Sequence, residues 1–117
     1  MQKPHGRTDI KQYSIEKVAE HIGLDVDTMK MLLDEFIDVM DEEVAHLEKA
    51  VDSGDAEMIK HYAHKMKGAS ANMMVEDMRH FCSELQNADK SDKALVADLL
   101  DNIRKSYAEF RGLFRQS

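Results

Sequence analysis

From residue 14 onward, apolar side chains recur at steps of three and four, in stretches parted by short polar joins. Between Asp25 and Asp52, Met29, Leu33, Phe36, Met40, Val44, Leu47 and Val51 make one stripe held for several turns. That pattern predicts a long helix with one side turned to a core. Met31 falls outside the stripe and is expected on the surface. A shorter stripe of Ile15, Val18, Ala19 and Ile22 predicts a first helix from Ser14 to Ile22, capped by Ser14 and stopped by Gly23. Asp25 and Asp55 are candidate caps, and Ser53-Gly54-Asp55 is a compact turn. The third helix is expected from Ala56 to Ala71 or Met73, turning in Ile59, Tyr62, Ala63, Met66, Ala69, Ser70 and Met73. The fourth, Val75 to Ala88, turns in Met78, Phe81, Cys82 and Leu85. After a polar turn the last runs from Lys93 to Phe114, with Val96, Leu99, Leu100, Ile103, Tyr107, Phe110 and Phe114 inward.

Four long amphipathic helices with short joins pack as an all-α, antiparallel up-down four-helix bundle. The short first helix is expected to cover one end. Residues 14–117 form the bundle domain, and 1–13 are expected to be a loose N-terminal segment. The single proline, Pro4, leaves the helical stretches unbroken. No apolar run approaches the ~20 residues needed to cross a bilayer, and no signal-peptide stretch opens the chain. One cysteine, Cys82, excludes an internal disulfide and a cysteine cluster for zinc. A reducing, cytoplasmic setting is the simple reading. The net charge of −7 argues against a nucleic-acid binder. Its acids gather at Asp34, Glu35, Asp38, Asp41, Glu42 and Glu43, where they read as solubilising charge.

The chemistry gathers in the third helix. His64 falls opposite the apolar stripe, together with Lys60, His61, Lys67, Gly68 and Ala71. Residues three and four apart are neighbours on a helix, so Lys67 and Gly68 lie one turn beyond His64. A neutral imidazole is a good nucleophile near pH 7, its unperturbed pKa being about 6.5. A lysine one turn away offsets charge on phosphoryl oxygens, and a glycine leaves no side chain to block a partner. The arrangement suits phosphoryl transfer through histidine. His61 has His64 and Lys65 at its own third and fourth positions, and is expected to be a surface histidine with at most a helper role.

His64-Lys65-Met66-Lys67-Gly68 resembles the His-x-x-Lys-Gly signature of histidine phosphotransfer (HPt) domains, which lies on one helix of a four-helix bundle. The resemblance implies a phosphorelay intermediate rather than an independent enzyme. His64 would be the phosphoryl acceptor, Lys67 its electrostatic helper and Gly68 the point of access. The implied partners are response-regulator receiver domains and a hybrid sensor histidine kinase, met by a monomer. No cofactor is intrinsic; Mg²⁺ would come with the receiver. Docking is expected on an apolar patch from the first helix and the start of the second, with Ile15, Val18, Ile22 and Met29 as candidates, beside Lys60, His61 and Ala71. The family commonly has glycine ten residues after the histidine. Here Met74 stands there, and Asn72 could take a left-handed turn instead.

Two other classes compete. One is an interaction module without chemistry, in which His64 is incidental. The other is a metal-binding bundle, because Glu43-Val44-Ala45-His46 and Asp77-Met78-Arg79-His80 echo the Glu-x-x-His of di-iron bundles. Such ligands must project inward. With Val44 and Met78 on the inward stripe, Glu43 and His80 are expected to face sideways or outward.

Overall fold

The structure is a computed structural model that describes residues 13–115. The segment expected to be loose lies outside the described residues, apart from Tyr13. Five helices follow in order: α1 (Ile15–Ile22), α2 (Val26–Ser53), α3 (Ala56–Asn72), α4 (Glu76–Asn87) and α5 (Lys93–Phe114). Their limits follow local chemistry. Ser14, Asp25, Asp55 and Asp92 each accept a hydrogen bond from a backbone N–H three residues on. Gly23 and Gly54 end α1 and α2 at φ 88° and 68°, where an L side chain is strained.

Helices α2 to α5 form the bundle, each packed on its sequence neighbours, with α5 closing back on α2 and α1 lying against α2. The core runs through all of them and includes Met29, Phe36, Met40, Leu47, Met66, Met78, Leu85, Ile103 and Phe110. Cys82 is fully buried among these side chains, and burial pushes its thiol up to about 12. Met31 stands 72% exposed, outside the stripe as expected.

The buried arc of α2 is broader than one stripe. Ile37, Glu43 and Ala50 are buried, while Val44 and Val51 are only partly so. The reason is that α2 meets α3 on one side and α5 on the other, so its inward face must span both contacts. Glu43 is therefore not turned sideways or outward: it is 6% exposed.

The acidic run of α2 also has a use beyond solubility. Arg111 donates to both carboxylate oxygens of Asp41, at 3.0 and 3.2 Å, and Arg115 bridges Asp34 and Asp38. The Tyr107 hydroxyl donates to Asp41 and lies 2.9 Å from the Ile37 carbonyl. These contacts set the register of α5 on α2. Exposed pairs contribute only about 0–1 kcal/mol each, so cohesion comes from the apolar core.

Tyr13 belongs to the bundle rather than to a loose segment. Its ring meets Phe110 and Phe114 edge-on at 5.0 and 5.8 Å, and its hydroxyl donates to the Met73 carbonyl at 2.6 Å. That carbonyl sits at the turn after α3, where Met74, not Asn72, takes the left-handed conformation, at φ 59°. Asn72 remains the last residue of α3. Methionine accepts this backbone at a cost because its partly buried side chain packs against the core.

Candidate functional site

The Asp55 carboxylate starts α3 by accepting from the Met58 N–H at 3.1 Å. From there Ile59, Ala63, Met66 and Ser70 point into the core. That orientation leaves His64 exposed on the outer face, with Lys60, His61, Gly68 and Ala71 exposed around it and Lys67 partly so. Side chains sharing His64's face within one turn are thus ammonium, imidazole or glycine. None offers the oxygen donors that a divalent ion of the magnesium type prefers.

Gly68 lies in unstrained helix, and a Cβ added to it would meet nothing within 4 Å. The free bundle therefore does not need a glycine there. The space it leaves is space above the helix, next to His64.

A residue advances about 100° around a helix. Lys65 and Lys67 accordingly flank His64 on opposite sides. Lys65 turns toward α2, where its Nζ lies 2.9 Å from Glu43 Oε2 in an ion pair rather than a well-aligned hydrogen bond. The contact and charge of that carboxylate raise the Lys65 ammonium above its ordinary value. Glu43 Oε1 lies 3.3 Å from His46 Nδ1. The His46 ring packs on Tyr62 at 5.2 Å, and Tyr62 meets His61 edge-on at 5.0 Å. His61 is therefore a member of a surface cluster, one turn before His64.

This same contact bears on the metal reading. The Glu43 carboxylate has an ammonium, not further carboxylates, across from it on α3. Among the described residues no group of three or more His, Cys, Asp or Glu side chains is placed to hold a metal ion.

An apolar groove opens on the Lys65 side of His64. It is lined by Ile22 of α1, by Leu32, Glu35, Phe36 and Val39 of α2, and by Ala69, Asn72 and Met73 at the end of α3. Ile22, Leu32 and Val39 are 41%, 40% and 48% exposed. Ala69 and Asn72 lie about 7.5 and 12 Å along the helix axis from His64 at 1.5 Å per residue. Three of the four apolar residues expected in a docking patch, Ile15, Val18 and Met29, do not line this groove. Val18 and Met29 are 6% and 0% exposed, as members of the buried core against which α1 packs on α2. Ile15 is partly buried against the core. Leu32 and Val39 are the exposed apolar residues of α2 that line the groove instead. Their signal was in the chain, as apolar residues of α2 that no inward stripe uses.

The family model for the Hpt domain matches residues 31–113. Among solved structures, the chain resembles the crystal structure of histidine-containing phosphotransfer protein B (HptB) from Pseudomonas aeruginosa PAO1. That likeness has a TM-score of 0.73 at 27% identity and covers 97% of this chain and 93% of that one. No curated protein sequence matches the chain.

Proposed function

The chain belongs to the Hpt domain family, and on that premise we propose that its relay chemistry runs through His64. It is a histidine phosphotransfer protein of a phosphorelay. The observation that carries the choice of residue is the exposure of His64 on the outer face of α3, with Lys67 and the open space over Gly68 one turn away.

The reaction requires little of the bundle beyond position. A receiver domain presents its aspartyl phosphate, and an imidazole nitrogen of His64 attacks phosphorus in line. The N–P bond forms as the P–O bond to the aspartate breaks, and the aspartate leaves as a carboxylate. Lys67 offsets charge on the transferring oxygens. Charge stabilisation of this kind dominates phosphoryl transfer. The Mg²⁺ comes with the receiver, since the side chains around His64 offer no oxygen ligands. A second receiver removes the group by the reverse step, and a hybrid sensor kinase is a fitting source of the first. Docking uses the groove of Ile22, Leu32, Val39 and Ala69, which lets an apolar surface settle beside the acceptor. No helix among the described residues is long and apolar enough to cross a membrane, and a cytoplasmic place for the relay agrees with that.

The test is transfer of acid-labile phosphate from a phosphorylated receiver with Mg²⁺. His64→Gln should abolish labelling and His61→Ala should leave it. Labelling lost in His61→Ala and kept in His64→Gln would move the acceptor.

A further inference from the structure

The two lysines that flank His64 are not equivalent, and the difference originates in α2. Lys65 is folded back on the Glu43 carboxylate at 2.9 Å, with its Nζ 5.9 Å from the centre of the Tyr62 ring. Glu43 is itself fixed, being 6% exposed and 3.3 Å from His46 Nδ1. No ion pair reaches Lys60 or Lys67 among the described residues. The paired lysine lies on the side of the apolar groove, and the unpaired one lies on the other side.

We propose that Glu43 is a positioning residue for phosphoryl transfer, acting through Lys65. By holding Lys65 against α2, it leaves Lys67 as the unpaired cation beside the acceptor and cancels the Lys65 charge on the groove side of His64. The proposal rests on His64 as the acceptor. Its physical basis is that docking removes water from the groove side. An unpaired ammonium there would have to be desolvated, or would seek the nearest anion. In the docked complex the phosphoryl group competes for that ammonium with the Glu42 carboxylate, which already acts on Lys65. A free Lys65 would draw the phosphoryl oxygens toward the groove side, off the line to the imidazole. Misplacement of about 1 Å in a transfer reaction costs up to about a hundredfold in rate. A buried carboxylate that cancels the wrong lysine leaves one direction of approach.

The experiment follows transfer from a phosphorylated receiver to the full chain over a range of receiver concentrations up to saturation, for Glu43→Gln, Lys65→Met and the double variant, with thermal melting alongside. Glu43→Gln should lower kcat about tenfold while KM rises less than about threefold. Lys65→Met alone should stay within about twofold of the original kcat, and the double variant should recover to the same level. Recovery in the double variant is the decisive result, because a carboxylate needed only for folding would not be replaced by removing its partner. Three results overturn the proposal: an unchanged kcat in Glu43→Gln, a double variant as slow as Glu43→Gln, or a tenfold loss in Lys65→Met. Glu43→Met, apolar and of similar size, replaces Glu43→Gln in the same comparison if the latter does not fold. Any of these failures with His64 still labelled leaves the acceptor assignment standing; loss of His64 labelling in the original chain would instead remove the assignment.

Discussion

The Tyr13 hydroxyl and the Met73 carbonyl meet at 2.6 Å across 60 residues of chain. The contact fastens the entry to α1 onto the turn that ends α3. Burial pushes the hydroxyl up to about 12, so it remains a donor throughout the neutral range. The turn it holds contains Met74 at φ 59°. A non-glycine residue in this conformation costs roughly 1–2 kcal/mol.

Met74→Gly should therefore relieve the backbone, less whatever packing its side chain gives up against the core. The expected net gain is up to about 1 kcal/mol. Urea unfolding read by circular dichroism measures it. A loss of stability would show that the methionine's packing outweighs its strain.

Gly68 should prove to be glycine for its partner's sake. Gly68→Gln is expected to hold or raise the melting temperature, since interior helical glycine costs about 1 kcal/mol relative to alanine and the space is open. It should nonetheless impair transfer from the receiver. Gly112→Ala is the control, because a Cβ there is equally unobstructed but lies far along the chain from the acceptor. It should leave transfer at the original rate. Transfer unharmed in Gly68→Gln defeats the clearance argument.

Lys67→Ala should slow transfer roughly tenfold or more with the fold intact. A surface charge contributes little to stability, yet the same charge at a dehydrated transition state contributes much more. Single-turnover kinetics read this directly, and an unaltered rate would reduce Lys67 to a solvated side chain.

Leu32→Asp and Val39→Asp should weaken receiver docking while sparing the fold, since both side chains stand in the open groove. Met31→Asp, on a more exposed side chain that does not line this groove, should have little effect. Titration calorimetry with the receiver distinguishes the three. Equal weakening by all of them would place docking elsewhere.

Acid should loosen the clasp between α2 and α5. The Asp41 carboxylate is held below its usual value of 3.8 by its hydrogen bond from Arg111, then by that from Tyr107. A group depressed by folding contributes stability above its unfolded pKa and loses it as pH falls through the folded one. Asp41→Asn should thus show a shallower decline in melting temperature between about pH 5 and pH 2. Asp25 and Asp89, also held low, keep part of the slope. Identical acid profiles would show that Asp41 contributes nothing to it.

Much of this molecule is written in its chain because its chemistry is local. Caps at Ser14, Asp25 and Asp55, left-handed glycines at 23 and 54 and the period of the stripes act within one turn of themselves. The outward placement of His64, Lys67 and Gly68 follows from the same period. What stayed hidden depends on partners far away in sequence. Glu43 reads as one more acid in an acidic run until α3 brings Lys65 to it. Asp34, Asp38 and Asp41 look like solubilising charge until α5 and its C-cap supply Arg111 and Arg115. Val18 and Met29 look available for docking because a stripe does not say which neighbour will cover it.

With His64 as the proposed acceptor, its exposure would set the tempo of the relay. A phosphoryl group left on an outward-facing ring has water as its neighbour from the moment its donor departs. It waits there unroofed until another receiver arrives or hydrolysis takes it. Loading and unloading are then clocked by encounter, and so by how many receivers the cell supplies and how fast they diffuse. On that proposal the bundle is a platform rather than a gate, and control over direction would lie with its visitors.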